Sequence, residues 1–249
     1  MTGSLIVVGT GPGKPELMTP ATKAAIAGAT DLVGYGPYLD RVPACAAQRR
    51  HASDNRVELE RARHALSLAA EGRQVVVVSG GDPGVFAMAA AVFEAVETGD
   101  PGWRDLDIRV EPGVTAMLAA AAEVGAPLGG DFCAISLSDN LKSWATVERR
   151  LKAAADADFV IALYNPASKA RPHQLGRAFE LLRACRSADT PVLFVRAAGS
   201  AETKVAVATL GTADPSIADM RTLVIVGAST TRQVGRWIYT PRREAETRS

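Results

Sequence analysis

Cysteine is scarce in this chain, with three residues in 249, and they stand far apart at Cys45, Cys133 and Cys185. No CxxC pair occurs, and an odd number of cysteines does not suit a disulfide framework. We therefore expect neither a structural zinc site nor disulfides. The three thiols are expected to be small, buried side chains in a reducing compartment.

Long apolar runs and an excess of one charge are also missing. None of the hydrophobic stretches reaches the roughly 18–20 residues that span a bilayer. The start, MTGSLIVVGTGPGK, has no basic segment ahead of its apolar residues and does not resemble a signal peptide. A formal net charge of +1 argues against a protein built to neutralise a nucleic-acid backbone. We expect a cytoplasmic protein that binds neither membrane nor nucleic acid.

Several catalytic signatures are absent as well. There is no GxxxxGK[ST] phosphate loop and no GxSxG nucleophile elbow. His51, His64 and His173 share no HxH or HExxH spacing, so no metal site is expected. His64 is predicted on the solvated face of a helix. His51, which follows Arg49 and Arg50, is predicted either in a solvated loop or opposite substrate carboxylates.

Short apolar stretches alternate with segments of helical spacing. The alternation is typical of α/β units around largely parallel sheets. Thr19 and Pro20 mark one helix start as N-cap and first helical residue. The predicted strands are Ser4–Gly9, Asp31–Tyr35, Gln74–Ser79, Asp107–Glu111, Phe132–Ser136, Asp158–Tyr164, Pro191–Val195 and Leu223–Gly227, and the predicted helices are Thr19–Ala29, Arg56–Glu71, Val85–Thr98, Val114–Val124, Ser143–Ala155 and Gln174–Cys185.

The predicted strands are too many for one ordinary sheet. We therefore predict two α/β domains, residues 1–113 and 114–249. Loops with glycine or proline follow four of the strands: GTGPG from Gly9, SGGDPG from Ser79, EPGVTA from Glu111 and YNP from Tyr164. Ligands bind at the carboxyl ends of parallel strands. Each loop alone is also compatible with ordinary turn chemistry. Together, in both halves, they predict one cleft between two domains.

The first two loops leave alternatives open. The glycine spacing in GTGPG departs from the dinucleotide fingerprint, and Pro12 lacks an N–H for phosphate, so a nicotinamide site has little support. In the second loop Asp82 either caps the next helix or contributes to a polar ligand site.

VGTGPG, VSGGDPGVFAMA, EPGVTAMLAAAAEVGAPLGGDF and ALYNPAS, in this order and spacing, resemble the tetrapyrrole methylase family from Leu5 to about Arg242. The resemblance implies two α/β domains, S-adenosylmethionine (SAM) as cofactor with S-adenosylhomocysteine as product, a small-molecule tetrapyrrole substrate and a homodimer. GYGPYLDR, SLSDNL and ALYNPAS are similar to members that methylate C17 of the macrocycle and contract its ring in cobalamin biosynthesis. The ending YTPRR departs from the family's TPRG, since Arg243 replaces glycine.

The resemblance also implies which residues contact SAM. These are Pro12, Gly80, Gly81, Asp82, Val85, Thr115, Ala116, Tyr164, Asn165, Ala197 and Ala198.

The substrate carries several carboxylates, so a local basic patch is expected despite the small net charge. The basic candidates, all predicted in loops, are Arg41, Arg49, Arg50, Lys142, Lys169 and Arg171, with solvated surface charge as the alternative reading. Tyr35, Tyr38 and Tyr164 are candidates to pack on the flat macrocycle. Predicted substrate contacts are Tyr35, Tyr38, Arg41, Ser136, Ser138, Asn140 and Arg171.

Ring contraction requires a base for the C20 hydroxyl. Asp139 is the first candidate, because it lies beside two serines just after a strand, and Asp40 is the second. Both are equally compatible with turn and cap roles.

Other functions stay open at this point. They are C-methylation at another tetrapyrrole carbon, diphthine synthesis, nicotinamide-dependent oxidoreduction and a non-enzymatic corrinoid carrier. The motifs do not distinguish a metal-free substrate from its cobalt-containing counterpart.

Overall fold

The computed structural model describes residues 3–54, 57–168 and 170–243. The chain divides into two units, Met1–Ala116 and Met117–Ser249. The sequence places the domain boundary slightly earlier, between residues 113 and 114. The division observed falls within the first turn of a helix, Ala116–Val124.

Unit 1 is built around a parallel sheet. Its elements are β1 (Ser4–Gly9), α1 (Pro20–Gly28), β2 (Asp31–Tyr35), α2 (Gly36–Leu39), β3 (Arg49–Ser53), α3 (Glu58–Ala70), β4 (Gln74–Ser79), α4 (Met88–Thr98) and β5 (Asp107–Glu111), with 3₁₀ turns at Pro15–Leu17 and Pro101–Asp105. The strands pair in the order β3-β2-β4-β1-β5, and these pairings are parallel. The loops after β1, β2, β4 and β5 therefore leave the same edge of the sheet.

The central strand β4 explains why this sheet is encoded by continuous apolar runs. Val75 and Val77 pack with α3 and α4 on one face. Val76 and Val78 pack with α1 and α2 on the other face. A strand that is buried on both faces needs apolar residues at successive positions rather than at alternate ones.

Helix α1 begins as the sequence predicts. The Thr19 hydroxyl accepts a hydrogen bond from the Thr22 amide at 3.1 Å, and Pro20 is the first helical residue. The Thr22 hydroxyl in turn donates to the Gly9 carbonyl at 3.2 Å. The capped helix start is thus tied to the end of β1, where the first glycine-rich loop begins.

Unit 2 contains a larger mixed sheet and a small one. Its elements are α5 (Ala116–Val124), β6 (Gly125–Ala126), β7 (Phe132–Ser136), α6 (Trp144–Asp156), β8 (Val160–Tyr164), α7 (Gln174–Arg183), β9 (Pro191–Arg196), β10 (Lys204–Thr209), β11 (Thr222–Val226), β12 (Arg232–Val234) and β13 (Trp237–Tyr239), with a 3₁₀ turn at Pro215–Ile217. The strand orders are β10-β9-β11-β8-β7 and β12-β13-β6.

The expectation of largely parallel sheets is wrong for unit 2. β7 and β8 pair in parallel, but β9 is antiparallel to β10 and β11, and β11 is antiparallel to β8. Parallel neighbours need a crossover of a dozen or more residues, usually a helix. Residues 197–221, which are all described and separate β9 from β11, contain no α-helix.

Helices α6 and α7 cover one face of the larger sheet. Leu151 of α6 and Leu182 of α7 pack in one hydrophobic cluster with Leu163 of β8. The rings of Phe179 and Phe194 meet edge to face, with centroids 6.0 Å apart. This cluster holds the α7 start, and the polar residues there, against the sheet.

The segment that follows β13 is anchored by a threonine. The Thr240 hydroxyl donates to the Pro127 carbonyl at 2.6 Å and lies 2.7 Å from the Thr231 hydroxyl. Arg243, which stands where the family pattern has glycine, is exposed. The departure from the pattern therefore falls outside the buried contacts of Thr240.

Several boundaries differ from the predictions. Helices α4 and α5 begin at Met88 and Ala116 rather than at Val85 and Val114, α7 ends at Arg183 rather than at Cys185, and β8 begins at Val160 rather than at Asp158. The predicted helix start at Arg56 lies outside the described residues. The sequence does not predict β3, β6, β10, β12 or β13, because these strands are short, polar or exposed along their length.

The three cysteines form no disulfide. Cys45 is exposed, and Cys133 and Cys185 are half-buried. The expectation of buried thiols is therefore wrong for Cys45. Burial raises the pKa of the Cys133 thiol, although the charge of Arg186 opposes the rise.

The described ranges contain neither a membrane-spanning helix nor a cluster of metal ligands. Among the helices there, none has the length and hydropathy needed to cross a membrane. In the same ranges, no group of three or more His, Cys, Asp and Glu side chains is arranged to hold a metal ion.

Candidate active site

Glycines bring the loops after β1, β4 and β5 together at the carboxyl edge of the unit 1 sheet. Gly11 and Gly81 exchange backbone hydrogen bonds of 3.1 and 2.9 Å. A Cβ at Gly9 would lie 2.5 Å from the Gly81 carbonyl oxygen, and a Cβ at Gly113 would collide with the same oxygen. A side chain at Gly9 or Gly113 would therefore push the loops apart. Gly11 and Gly81 have φ of 74° and 65°, which favours glycine.

Asp82 braces the loop after β4. Its Oδ1 accepts a hydrogen bond from the Gly84 amide at 2.8 Å, and its Oδ2 accepts one from the Gly113 amide at 3.0 Å. Helix α4 begins only at Met88, so Asp82 is not its N-cap. The carboxylate instead shapes its own loop and ties it to the loop after β5.

The other cofactor candidates of unit 1 lie in the same loops. Pro12, Gly80, Val85 and Ala116 are half-buried, and Thr115 is buried. Together with Gly81 and Asp82 they supply backbone groups, small side chains and one carboxylate, but no positive charge. This composition fits SAM, because its sulfonium centre is a cation.

Three predicted substrate contacts cluster beside a predicted cofactor residue. A Cβ at Gly80 would lie 2.7 Å from the Tyr38 ring, so this ring packs directly on the loop after β4. The Tyr35 and Tyr38 rings meet edge to face at 5.4 Å. The Arg41 guanidinium lies 5.2 Å from the centroid of the Tyr38 ring. Asp40, the second candidate base, is exposed in the same segment.

A buried arginine that the sequence does not single out supports this edge. Arg61 of α3 is 5% exposed. Its Nε donates to the Ser53 hydroxyl at 2.7 Å, and its Nη1 lies 3.2 Å from the Met88 sulfur. Burial lowers its pKa, and the neighbouring Glu58 opposes this effect. Arg61 therefore joins the end of β3 to the start of α4.

Arg49 and Arg50 lie in β3, so the prediction that they occupy a loop is wrong. Arg50 donates hydrogen bonds of 2.7–2.8 Å to the carbonyls of Leu39, Val42 and Pro43. Its guanidinium therefore braces the segment that carries Tyr38 and Arg41. Arg49 begins the strand and lies at the amino edge of the sheet, away from the candidate loops.

Two further candidates for the basic patch are lysines, Lys142 and Lys169. Lys142 is half-buried, and burial lowers its pKa, with the Arg150 charge acting in the same direction. Lys169 lies outside the described residues.

In unit 2 the ends of β7 and β8 bring three predicted residues together. The Asn165 side-chain amide donates to the Ser136 hydroxyl at 2.9 Å. Asn165 has φ of 52°, a left-handed conformation that asparagine adopts more readily than most residues. The Tyr164 hydroxyl accepts a hydrogen bond from the Met117 amide at 3.1 Å.

The segment after β7 carries the first candidate base. Arg171 donates to the Ser138 hydroxyl at 2.5 Å, and its Nη1 lies 3.6 Å from Asp139 Oδ1. A hydrogen bond from the Gln174 side chain is the main cause that lowers the pKa of Asp139. Burial opposes this effect, and the charges of Arg171 and His173 reinforce it. Asp139 is therefore ionised at neutral pH.

Two neighbours complete the segment. Asn140, a predicted substrate contact, is exposed, and its backbone amide lies 3.5 Å from the Ser138 hydroxyl. Gln174, the first residue of α7, is 1% exposed, and in the described part of the chain its Oε1 has no hydrogen-bond partner. An unsatisfied buried acceptor costs about 1–3 kcal/mol.

Ala197 and Ala198 are buried in the turn after β9. Ala197 has φ of 50°, which costs a non-glycine residue on the order of 1 kcal/mol or more. Its carbonyl accepts a hydrogen bond from the Thr203 hydroxyl at 3.0 Å, and the Gly199 amide donates to Glu123 at 3.4 Å. These bonds hold the strained turn in place.

A polar cluster that the sequence does not predict lies at the amino edge of the unit 1 sheet. Buried Asp31 accepts hydrogen bonds from Thr30 at 2.8 Å and His51 at 2.8 Å, and it lies 3.3 Å from the Arg73 guanidinium. His51 Nδ1 is 3.0 Å from His64 Nε2. Burial raises the pKa of Asp31, but the bonds from His51 and Thr30 and the Arg73 charge outweigh it, so the pKa is lowered. His51 is therefore a structural partner of Asp31 rather than a loop residue, and His64, exposed as predicted, contacts it.

One known protein family matches most of the chain. Residues 4–214 match the family described as Tetrapyrrole (Corrin/Porphyrin) Methylases. The chain belongs to the tetrapyrrole methylase family. This confirms the resemblance found in its four loop motifs.

Two relatives match this methylase in sequence over nearly its whole length, and one solved structure matches it in fold. A Sinorhizobium protein named precorrin-3B C(17)-methyltransferase is 59% identical over 247 residues, 97% of each chain. A Salmonella typhimurium protein named probable cobalt-factor III C(17)-methyltransferase is 42% identical over 239 residues, 96% of this chain and 98% of that one. The crystal structure of the methyltransferase CobJ has a TM-score of 0.94 and 55% identity, covering 96% of this chain and 100% of that chain.

Proposed function

We propose that this methylase transfers the methyl group of SAM to C17 of precorrin-3B and contracts the macrocycle to give precorrin-4, in cobalamin biosynthesis. The observation that carries the proposal is the 59% identity to a precorrin-3B C(17)-methyltransferase over 97% of both chains. The probable cobalt-factor III relative is less similar, at 42% identity. The difference favours the metal-free substrate.

SAM supplies a methyl group that is already activated on a sulfonium. The chain therefore has to bind and align rather than activate, and well-oriented reactants remove roughly 7–11 kcal/mol of a barrier. We assign its binding to the loop residues Pro12, Gly80, Gly81, Asp82, Val85, Thr115 and Ala116 in unit 1, and to Tyr164, Asn165, Ala197 and Ala198 in unit 2. Two observations support this assignment. Glycines bring the loops after β1, β4 and β5 of unit 1 close together, and none of the assigned residues carries a positive charge.

For the tetrapyrrole we assign apolar and charged contacts separately. Tyr35 and Tyr38 offer aromatic faces for the macrocycle, beside the loop that carries Gly80. Arg41 is exposed on the same segment, and a guanidinium binds a carboxylate with two parallel hydrogen bonds. In unit 2 the assigned contacts are Ser136, Ser138, Asn140 and Arg171.

We assign proton removal to Asp139. Methylation at C17 places positive charge on the macrocycle and makes the C20 hydroxyl acidic. An ionised carboxylate of low pKa then suffices as a base. Asp139 accepts the hydroxyl proton, and the C20 oxygen becomes a ketone as one of the two ring bonds of C20 breaks. The electron pair of that bond joins C1 to the ring carbon released from C20 and neutralises the positive charge, which leaves C20 and its methyl on C1 as an acetyl group. Positioned bases contribute about 10²–10⁴-fold to such steps.

The test is an anaerobic incubation with methyl-deuterated SAM and either precorrin-3B or the cobalt-containing counterpart, followed by mass spectrometry and NMR. One labelled methyl at C17 in a ring-contracted product from precorrin-3B is expected. Label incorporated only with the cobalt substrate would assign the chain to the anaerobic route. Tetrapyrrole binding without label on either substrate would favour a carrier.

We also propose that the enzyme works as a homodimer in the cytoplasm. The support is the family resemblance and the three cysteines without disulfides, which suit a reducing compartment. Light scattering after gel filtration should give twice the chain mass of 26.1 kDa. A mass equal to one chain would contradict the dimer.

A further inference from the structure

We propose that Arg171 is a positioning residue, whose guanidinium directs the Ser138 hydroxyl to donate a hydrogen bond to a peripheral carboxylate of the tetrapyrrole. The inference rests on the proposed function, which assigns both residues to the tetrapyrrole, and it gives each of them a distinct role. Ser138 touches the substrate, whereas Arg171 acts on the substrate through Ser138.

The contacts of the Ser138 hydroxyl leave its hydrogen available. Arg171 Nη1 donates to Ser138 Oγ at 2.5 Å, and the Asn140 backbone amide approaches the same oxygen at 3.5 Å. A serine hydroxyl has two acceptor positions and one hydrogen to donate. Both contacts use acceptor positions, because a guanidinium and an amide N–H can only donate. Within the described ranges, no group accepts a hydrogen bond from the Ser138 hydroxyl.

The bond from Arg171 also makes this hydroxyl a stronger donor. A hydrogen bond from a charged group is roughly twice as strong as one between neutral groups. It draws electron density toward the cation, so the O–H group of Ser138 becomes more polar. An ionised carboxylate only accepts hydrogen bonds and carries a negative charge. It is therefore the substrate group that gains most from such a donor.

The backbone around the two residues fixes where the donor lies. Ser168 and Arg171 exchange backbone hydrogen bonds of 3.2 and 3.0 Å, which close a tight turn. On the segment after β7, the Leu137 amide donates to the Tyr164 carbonyl at 2.9 Å, one residue before Ser138. The hydroxyl is therefore held in place before the substrate arrives, which lowers the entropy lost on binding.

The surroundings of Arg171 do not favour direct contact with a substrate carboxylate. Its side chain is 16% exposed, and the nitrogen that bonds Ser138 lies 3.6 Å from Asp139 Oδ1. A second carboxylate at this nitrogen would meet the negative charge of Asp139, and like charges repel. The neutral Ser138 hydroxyl transmits the effect of the cation without requiring a second carboxylate at the guanidinium.

The test measures the Kd of precorrin-3B by anaerobic absorbance titration in the absence of SAM. With no methyl donor present, the Kd reports binding separately from methyl transfer and ring contraction. Ser138→Ala should raise the Kd about tenfold, the loss of one hydrogen bond to a charged group. Ser138→Thr keeps the hydroxyl and should stay within about twofold of the wild type. Equal losses in the two variants would overturn the proposal, because the hydroxyl would then not matter.

A double variant distinguishes positioning from direct contact. Arg171→Met should raise the Kd about fivefold, because the hydroxyl hydrogen is then free to turn away from the substrate. If Arg171 acts through Ser138, Arg171→Met combined with Ser138→Ala should bind as Ser138→Ala alone does, about tenfold more weakly than the wild type. Two independent contacts would multiply to a loss of about fiftyfold, and that result would overturn the proposal.

Arg183→Met is the matched control, because Arg183 also supports unit 2 through hydrogen bonds, to the carbonyls of Leu210 and Ala213. Its Kd for precorrin-3B should equal that of the wild type. An increase as large as that of Arg171→Met would show that any lost arginine support weakens binding, and it would overturn the proposal. A wild type that does not bind precorrin-3B would instead contradict the proposed function itself.

Discussion

The Asp82 carboxylate accepts a hydrogen bond from the Gly113 amide at 3.0 Å, so a side chain of the loop after β4 holds the loop after β5. The same carboxylate closes its own loop through the Gly84 amide. One side chain thus fixes two of the loops that we assign to SAM.

Replacing Asp82 by alanine should raise the Kd for SAM about tenfold, because hydrogen bonds of this kind contribute about 1 kcal/mol or more. Isothermal titration calorimetry measures the change. Asp100→Ala is the control, since Asp100 accepts from the Gly102 amide in the same way at a site away from these loops. Equal affinity in the Asp82 and Asp100 variants would contradict the bracing role.

Gly113→Ala should weaken both stability and SAM binding. The added methyl would collide with the Gly81 carbonyl, and overpacking of this kind costs about 1–3 kcal/mol. Urea unfolding and calorimetry would measure the two effects. A Cβ at Gly28 would meet no atom within 4 Å, so Gly28→Ala should leave both quantities unchanged or raise stability. Wild-type stability in Gly113→Ala would show that the loops can separate without cost.

Asp139→Asn should block ring contraction while SAM still binds. The amide keeps the size of the side chain but cannot accept the hydroxyl proton, so the rate of contraction should fall about 10²-fold or more. NMR of the labelled product detects the loss as a missing acetyl group. Unchanged turnover would remove Asp139 as the base and direct attention to Asp40.

The parts of this structure that were predictable are those encoded locally. The apolar runs of unit 1 and the helical patterns between them predict a parallel sheet, and Thr19 with Pro20 predicts a helix start. The sequence also indicates the antiparallel pairing of β9 with β11 in unit 2, because no helical pattern lies between these two strands. In contrast, the bond between Asp82 and Gly113 and the bond between Asn165 and Ser136 join residues far apart in the chain. Such pairs depend on how the sheets bring loops together, which no local pattern contains.

The polar cluster around buried Asp31, formed with His51 and Arg73, should contribute to stability in a pH-dependent way. The folded-state pKa of Asp31 lies below its ordinary value of 3.8, so the ionised group stabilises the fold above about pH 4. That contribution is lost as the pH falls through the folded-state pKa. Asp31→Asn should therefore lower the free energy of unfolding by about 1–3 kcal/mol near pH 7. The difference from wild type should shrink toward pH 3.

Urea unfolding at several pH values measures this difference. Asp107→Asn is a suitable control, because Asp107 pairs with Arg109 at 2.9 Å while more than half exposed, and such surface pairs contribute little. A constant difference between wild type and Asp31→Asn from pH 7 to pH 3 would argue against ionisation as the source.

Charge reversal at Arg41 should raise the KM for the tetrapyrrole about tenfold, equivalent to about 1.4 kcal/mol, with little effect on the KM for SAM. The physical reason is the loss of a cation for a substrate carboxylate beside the Tyr38 ring. Arg232→Glu is a matched control, because Arg232 lies over the Tyr239 ring at 5.4 Å, close to the 5.2 Å of Arg41 over Tyr38. Equal KM values in the two variants would contradict the assignment of Arg41.

The contact between Thr240 and Pro127 joins residues 113 positions apart. The sheet of unit 1, by comparison, has its last strand in place at Glu111. On a ribosome, which delivers the chain from its amino end, unit 1 therefore has all its strands while most of unit 2 has yet to be translated. Unit 2 closes later: β6, at Gly125 and Ala126, pairs with β13, so its small sheet waits until Tyr239 has been synthesised.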